Sequence, residues 1–230
     1  MDLDGTLSQH KQPLSEETRR TLFALSKKYK LVMVGAGQVG RIRNQMENFP
    51  IDIIGNYGLQ YAEYNSETDD IIIKRDLILP CDRASVEKRV SALRSKYGFT
   101  EFSGDSVEFH PSGCVTFAIL GTKAKAEDKL AFDPDRKKRR AIYDEVVDTF
   151  SEYVVFVGGS SSFDMAPKPY DKRYALSLYC EEKGILPEET VFIGDDYGRG
   201  GNDESVYLSE FGFIKIDDYR TFPEKVAHLL

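Results

Sequence analysis

The sequence predicts an α/β protein whose parallel-sheet core is interrupted by an inserted α+β domain. In the first and last thirds of the chain, short unbroken apolar runs alternate with segments whose apolar residues recur at helical spacing. Such runs are typical of strands buried on both faces of a parallel sheet. In the middle of the chain, strand-like stretches separated by helices favour a sheet covered on one face. We therefore expect a core of residues 1–80 and 167–230 and an inserted domain of residues 81–166.

The core elements can be predicted in chain order. Ser15 is a candidate cap for a helix that runs to about residue 29. The elements predicted next are a buried strand at 31–34, a helix at 39–46, a buried strand at 51–54 and antiparallel strands within 55–74. After the insertion we expect a helix over 172–183 ended by Gly184, and strands at 191–193 and 213–216.

The inserted domain is predicted from a helical stripe that ends at Gly98 and from two hairpin-like stretches at residues 107–120 and 153–165. The helix between the two stretches carries a run of five basic residues at 136–140. Because apolar residues recur along the same helix, we interpret the basic run as a solvated helix face and not as a nucleic-acid site.

Length, charge and cysteine content restrict the function further. A chain of 230 residues with 41% hydrophobic residues is large enough for one large or two small domains. The formal net charge of −7 makes nucleic acid and anionic membranes unlikely partners, and no apolar run is long enough to span a bilayer. Three widely spaced cysteines predict neither a disulfide framework nor a metal knuckle, which favours a reducing cytoplasm. We expect a monomer or a homodimer.

Three segments carry candidate chemistry. Asp2 and Asp4 lie two residues apart before a glycine, a pattern that is typical of the exit of a strand. A glycine-rich, acidic loop at residues 194–203 directly follows another predicted strand. Because ligands bind at the carboxyl ends of parallel strands, the acids of the two loops would meet there in an all-oxygen site of the kind magnesium prefers. Lys172, in the first turn of a helix, could face an anion. Taken singly, each segment is also compatible with a solvated turn or helix face.

Together these segments resemble the haloacid dehalogenase superfamily of phosphotransferases. Within it, the sequence is most similar to the branch that holds eukaryotic phosphomannomutases and the sugar phosphatases with an α/β cap. The resemblance covers nearly the whole chain and rests on D-L-D-G-T at 2–6, G-N-Y-G-L at 55–59, G-G-S-S-S-F-D at 158–164, D-K-R-Y at 171–174 and G-G-N-D at 200–203. It implies a Rossmann-like core and identifies the inserted domain as a cap.

The resemblance also implies catalytic roles. Asp2 would be the nucleophile that attacks phosphorus, and Asp4 the general acid and base. Asp2, Asp195 and the backbone carbonyl of Asp4 would hold Mg²⁺. A carboxylate can approach a dianionic ester only if cations neutralise charge, and Lys172, or alternatively Lys168, would supply one. To donate a proton near neutrality, Asp4 needs a raised pKa, which we expect closure of the cap to provide by excluding water.

The predicted substrate is a small phosphorylated metabolite, most simply a sugar phosphate. Ser162 and Asp164 match positions that hold sugar hydroxyls in phosphomannomutases. Gly35, Ala36 and Gly37 occupy the place where the superfamily usually has a serine or threonine that binds the phosphoryl group. Their backbone N–H groups and the start of the helix that follows could replace that hydroxyl.

Two further departures from the family pattern bear on the prediction. Only Met1 precedes Asp2, although in this superfamily the acidic pair leaves the first core strand, so we expect that the working protein has residues before Met1. Thr122 and Lys129 stand where phosphomannomutases have arginines for the non-reacting phosphate. Because a lysine lacks the bidentate fork of arginine, Lys129 would hold that phosphate more weakly.

The sequence therefore favours a magnesium-dependent phosphatase that works through an aspartyl phosphate. The alternative is a phosphomannomutase-like isomerase of hexose 6-phosphate and 1-phosphate. A non-catalytic sugar-phosphate binder is a third hypothesis, which the retained acidic pair and lysine make less attractive.

Overall fold

The chain folds into eight α-helices and ten β-strands in the computed structural model, which describes residues 1–230. The helices are α1 Glu16–Ser26, α2 Val39–Gln45, α3 Arg83–Tyr97, α4 Ala126–Phe132, α5 Lys137–Thr149, α6 Lys172–Lys183, α7 Glu204–Tyr207 and α8 Phe222–Lys225. The strands are β1 Val32–Val34, β2 Asp52–Gly55, β3 Gln60–Asn65, β4 Asp70–Asp76, β5 Val107–Phe109, β6 Val115–Ala118, β7 Tyr153–Phe156, β8 Ser162–Pro167, β9 Val191–Gly194 and β10 Gly212–Lys215. The predicted α/β fold class is confirmed.

The chain divides into two compact units. The first unit contains Met1–Leu77, Asp171–Gly198 and Asp203–Leu230, and the second contains Ile78–Tyr170 and Arg199–Asn202. The four residues 199–202 thus belong to the second unit, although the glycine-rich loop to which they belong was assigned to the core from the sequence. The role of the second unit as a cap stays a prediction.

In the first unit, parallel pairs place the carboxyl ends of strands side by side. β1 pairs with β2, and β9 pairs with β10, both in parallel, while β3 and β4 extend the first sheet in antiparallel fashion. The backbone of the first two residues hydrogen-bonds to both sheets: the Val34 N–H donates to the Met1 carbonyl over 2.9 Å, and the Asp2 N–H donates to the Ile193 carbonyl over 2.9 Å. Asp2 therefore lies at the ends of β1 and β9. The expectation that residues precede Met1 stays a prediction.

The second unit contains a four-stranded antiparallel sheet in the order β5-β6-β8-β7. Its apolar core includes Val86 and Val90 from α3 and Val146 from α5, packed with strand residues such as Phe117 and Phe163. In this sheet Thr116 of β6 lies opposite Asp164 of β8.

Helix α6 illustrates why the sequence folds as it does locally. The Asp171 side chain caps it by accepting the Tyr174 N–H, and Gly184 ends it with a φ of 66°. Helix α1 likewise starts after Ser15, whose side chain accepts the Thr18 N–H. No helix is both long and apolar enough to cross a bilayer.

The interpretation of the basic run as a solvated face is wrong at one residue. Arg139 is only 1% exposed, and its Nε donates to the equally buried Asp133 carboxylate over 2.9 Å. Its Nη1 also donates to the carbonyl oxygens of Gly158, Gly159 and Ser162. A buried guanidinium requires such partners, since an isolated buried charge is costly. Arg139 is therefore a structural residue of the second unit.

Candidate active site

Lys172 lies between two carboxylates of the first unit. Its Nζ is 2.8 Å from Asp2 Oδ1 and 2.7 Å from Asp203 Oδ1, and the Lys172 side chain is completely buried. Lys172 is the first residue of α6. The capping of this helix by Asp171 therefore fixes the backbone position from which the Lys172 side chain extends. Lys168, the alternative candidate, is exposed and belongs to the second unit. Of the two candidate lysines, the structure places Lys172 beside Asp2.

Asp195 joins the same cluster from the loop after β9. Carboxylate oxygens of Asp2, Asp195 and Asp203 all lie within 4.8 Å of one another. Thr6 donates its hydroxyl to Asp195 Oδ1 over 2.7 Å. Gly5 has a φ of +91°, and a Cβ there would come within 2.5 Å of Asp195 Oδ2. Residue 5 therefore has to be a glycine for Asp195 to fit beside Asp2.

Asp203 organises the glycine-rich loop as well as the ion cluster. Its Oδ2 accepts the backbone N–H groups of Asp195 and Asp196 over 3.1 and 3.0 Å, while its Oδ1 accepts Lys172. Asp203 belongs to the G-G-N-D motif at 200–203, but no role for it was predicted from the sequence. Its position within eight residues of Asp195 in an acidic loop after a buried strand was the available signal.

The electrostatics of the cluster favour a divalent cation. Three carboxylates face one ammonium group, which leaves a formal charge of 1 − 3 = −2 if all are ionised. Burial raises the pKa of Asp2 above its usual range, although Lys172 opposes the shift, and burial likewise raises the pKa of Asp195. Burial lowers the pKa of Lys172, but the two neighbouring carboxylates outweigh this effect and raise it. An all-oxygen set with this excess of negative charge fits a hard divalent ion.

The Asp4 side chain has a different set of partners. Its carboxylate accepts hydrogen bonds from Gln45 Nε2 over 2.8 Å, from the Lys11 N–H over 2.7 Å and from Arg41 Nη1 over 3.1 Å. Burial pushes the pKa of Asp4 upward, but these hydrogen bonds and the positive charge of Arg41 outweigh it, so that the pKa is lowered. The partners of Asp4 in this structure thus lower its pKa, and the raised pKa expected on closure of the cap stays a prediction.

The carbonyl oxygen of Asp4 accepts no hydrogen bond from the protein. This oxygen is therefore free to bind a metal ion, which is the role predicted for Asp4 from the sequence. That contribution stays a prediction.

The glycine-rich turn after β1 offers fewer backbone donors than expected. The Gly35 N–H donates to the Ile54 carbonyl, and the Val39 N–H at the start of α2 donates to Gln60 Oε1 over 3.1 Å. The Ala36 and Gly37 N–H groups donate to no other protein atom. The Val39 N–H is therefore engaged within the protein, while binding of a phosphoryl group by the N–H groups of residues 35–37 stays a prediction.

The remaining predicted substrate residues lie in the second unit. Asp164 accepts the Thr116 hydroxyl over 3.0 Å, and burial raises the pKa of Asp164. Ser162 donates its hydroxyl to the Gly158 carbonyl over 3.1 Å. Lys129 Nζ donates to the Thr122 backbone carbonyl over 3.1 Å. Their contacts with a substrate stay predictions.

Comparison with known proteins decides the family. The profile of the family described as eukaryotic phosphomannomutase matches residues 18–214, which is most of the chain. The protein belongs to this family. The phosphomannomutases of Saccharomyces cerevisiae and Encephalitozoon cuniculi are 26% and 24% identical to it, covering 91% and 90% of this chain and 84% and 82% of their own lengths. The matched range starts after Asp2 and Asp4, so the profile match does not include these two residues.

Solved structures agree on the fold. An IMP-nucleotidase of Plasmodium falciparum superposes with a TM-score of 0.67 over 99% of this chain at 14% identity, and this chain spans 66% of the nucleotidase. A phosphatase of the haloalkanoate superfamily from Bacteroides thetaiotaomicron gives a TM-score of 0.64 at 16% identity, covering 99% of this chain and 92% of the other. The predicted resemblance to the haloacid dehalogenase superfamily and to its phosphomannomutase branch is confirmed.

Proposed function

We propose that the protein is a magnesium-dependent phosphotransferase that interconverts a hexose 6-phosphate and a hexose 1-phosphate. The observation that carries the proposal is the buried contact of Lys172 with Asp2, within a cluster of three carboxylates, in a chain that matches the phosphomannomutase family. A carboxylate held by an ammonium group at the ends of parallel strands has the charge and the position of a nucleophile for phosphoryl transfer.

The proposed reaction uses Asp2 as the phosphoryl carrier. A phosphorylated Asp2 passes its phosphoryl group to a hydroxyl of the sugar monophosphate, and the P–O bond to Asp2 breaks as the new ester bond forms. The resulting bisphosphate turns round, and Asp2 attacks its other phosphorus atom, so that the sugar leaves as the isomeric monophosphate. Lys172 stays in contact with Asp2 and offsets the negative charge that gathers around phosphorus.

Asp2, Asp195 and the carbonyl of Asp4 would hold the magnesium ion, and Asp203 would position them through Lys172 and the loop N–H groups. When bound, the ion supplies positive charge that lowers the repulsion between the carboxylate nucleophile and the phosphate. The formal charge of −2, which the cluster has when all three carboxylates are ionised, supports this assignment.

Asp4 is the proposed proton carrier. It takes the proton of the attacking hydroxyl in the first step and returns a proton to the leaving oxygen in the second. Its lowered pKa suits the first of these tasks, because an ionised carboxylate is ready to accept a proton. For the second task, Asp4 uses the proton that it has just received, so a raised pKa in the resting protein is not required.

A phosphatase is the second candidate, and one observation favours it. The Lys129 ammonium is bonded to the Thr122 carbonyl, and Thr122 itself carries no charge. A mutase has to hold the phosphate that is not reacting, whereas a phosphatase handles one phosphate at a time. If Thr122 and Lys129 hold the non-reacting phosphate only weakly, water replaces the sugar hydroxyl as the group that attacks phosphorylated Asp2.

A direct comparison of the two reactions tests the proposal. Purified protein is incubated with Mg²⁺, mannose 1-phosphate and a trace of hexose 1,6-bisphosphate, and both mannose 6-phosphate and released phosphate are measured. Faster isomerisation than hydrolysis supports the mutase, and faster hydrolysis supports the phosphatase. Asp2→Asn should abolish both reactions, whereas Asp218→Asn, which changes a half-buried acid bonded to the exposed Arg220, should leave them intact. Tight binding of sugar phosphate without any turnover would instead favour a non-catalytic binder.

A further inference from the structure

The loop of residues 194–203, which carries Asp195, contains one aromatic side chain, that of Tyr197. Four of the ten residues of this loop are glycines, and glycine gives a backbone more conformational freedom than any other residue does. The other large side chain of the loop, Arg199, belongs to the second unit and pairs with Asp144. In the first unit, the path of the loop therefore depends on the few side chains that attach it to the sheet.

The Tyr197 ring packs against residues of α7 and β10, and together they form an aromatic cluster that consists of Tyr197, Tyr207, Phe213 and Lys215. The centroid of the Tyr197 ring lies 5.4 Å from that of Tyr207 and 6.1 Å from that of Phe213. Lys215 Nζ lies 4.7 Å from the centroid of the Tyr197 ring and 4.3 Å from that of Tyr207. Aromatic pairs and cation–π contacts at these distances are attractive, so they hold the Tyr197 ring in place.

Asp195 lies between two attachments of the loop. On one side, Asp203 Oδ2 accepts the backbone N–H groups of Asp195 and Asp196. On the other side, the Tyr197 ring fixes the backbone two residues after Asp195. The Asp195 carboxylate is thereby kept beside Thr6, whose hydroxyl donates to it. A ligand that is already in place loses less entropy when it binds its ion.

The aromatic cluster is also continuous with the surroundings of Lys172. The buried ring of Phe192, in β9, lies 5.7 Å from the ring of Phe213, measured between centroids. Lys172 Nζ lies 5.9 Å from the centroid of the Phe192 ring. Packed rings therefore connect the aromatic cluster to the ammonium group that contacts Asp2 and Asp203.

From this arrangement we infer that Tyr197 is a positioning residue of the metal site, whose ring holds Asp195 where it can bind Mg²⁺. The inference rests on the proposed magnesium site and adds to it the residue that fixes the ligand from the glycine-rich loop. The ring makes the contacts within the aromatic cluster, whereas the Tyr197 hydroxyl donates outward to the exposed Asp217 over 2.6 Å. The ring, and not the hydroxyl, is therefore the part that matters for the metal.

The affinity for Mg²⁺ tests this inference, measured by isothermal titration calorimetry with MgCl₂ on the full chain. Tyr197→Ala should weaken Mg²⁺ binding by roughly tenfold, as expected when a residue that orients a metal ligand is lost. Tyr197→Phe keeps the ring and loses only a hydrogen bond to an exposed acid, so it should bind Mg²⁺ within about threefold of the unchanged protein. Equal affinity of Tyr197→Ala and the unchanged protein would overturn the inference, and so would an equally large loss in Tyr197→Phe.

Phe23→Ala is the matched control for a general loss of packing. The Phe23 ring in α1 also has an aromatic partner and a cation, since its centroid lies 4.7 Å from that of Phe49 and 5.6 Å from Arg19 Cζ. Both alanine variants should lower the midpoint of urea unfolding, but only Tyr197→Ala should weaken Mg²⁺ binding. If Phe23→Ala weakens Mg²⁺ binding as much as Tyr197→Ala does, loss of packing explains both effects and the inference is wrong.

Failure of the proposed function has a different signature. If the unchanged protein binds no Mg²⁺, the proposed magnesium-dependent function and the inference fail together. If the unchanged protein binds Mg²⁺ and turns over sugar phosphates while Tyr197→Ala keeps full Mg²⁺ affinity, only the inference fails. Circular dichroism verifies that each variant is folded, and Tyr197→Leu, which keeps most of the apolar volume, replaces Tyr197→Ala in the same comparison if the alanine variant does not fold.

Discussion

The Nζ atom of Lys172 lies 2.8 Å from Asp2 Oδ1, and both side chains are buried. Lys172→Met should reduce the free energy of unfolding by about 3–5 kcal/mol, because it leaves buried carboxylates without their counter-charge. It should also abolish turnover. Urea unfolding monitored by circular dichroism measures the first effect. Lys183→Met on the same helix is the control, since its pair with Glu63 is more exposed and should contribute less than about 1 kcal/mol. Equal losses for both variants would contradict the assignment.

The charge of Asp203 should set the affinity for magnesium. Asp203→Asn keeps the shape of the side chain but lowers the excess negative charge of the cluster, so Mg²⁺ should bind roughly tenfold to a hundredfold more weakly. The measurement is the shift of the thermal midpoint as Mg²⁺ is titrated, which reports binding without requiring activity. Unchanged Mg²⁺ dependence in a folded Asp203→Asn protein would show that this residue does not organise a metal site.

Gly5 should be sensitive to substitution for a reason beyond its backbone angle. Gly5→Ala places a methyl group 2.5 Å from Asp195 Oδ2, so it should both destabilise the fold and weaken Mg²⁺ binding. Gly184→Ala has a positive φ as well but meets open space, and it should cost only about 1 kcal/mol without any effect on Mg²⁺. The pair of variants separates backbone strain from displacement of Asp195. Equal Mg²⁺ affinity of the Gly5→Ala and Gly184→Ala variants would contradict the proposed position of Asp195.

The buried pair of Asp133 and Arg139 should make stability fall in acid. Burial raises the pKa of Asp133, but its hydrogen bonds from Arg139 outweigh burial and lower it. Because the folded pKa lies below the unfolded value near 3.9, the stabilisation is complete above about pH 5 and is lost as the pH falls through the folded pKa. Asp133→Asn should therefore be much less stable than the unchanged protein at pH 7, and the difference should shrink below about pH 4. A difference independent of pH would contradict this ion pair.

Local signals explain which parts of the fold were predictable. Helix α6 was predicted from residue 172 to residue 183, because Asp171 caps it and Gly184 ends it. Helix α4 was not, since it has no buried residue and therefore lacks the apolar stripe by which helices are recognised. The buried state of Arg139 was missed because Asp133 precedes it by six residues, outside the i+3 and i+4 spacings that reveal helical pairs.

The candidate site was predictable to the same limited extent. The acids and Lys172 sit directly at the ends of strands or the start of a helix, where sequence patterns place them well. The partners of Asp4 were not predictable, because Arg41 and Gln45 come about 40 residues later in the chain and reach Asp4 only after folding. The pKa of Asp4 depends on those distant residues, which is why its lowering in this structure could not be predicted from the sequence.

Arg139 also has a mechanical consequence for the loop that precedes β8. One guanidinium group ties the carbonyls of Gly158, Gly159 and Ser162 to the first turn of α5. These hydrogen bonds hold the loop and the helix together as one rigid unit. A displacement of Ser162 would therefore have to carry α5 with it or break these hydrogen bonds, so substitutions in this loop should alter side chains without changing the path of its backbone.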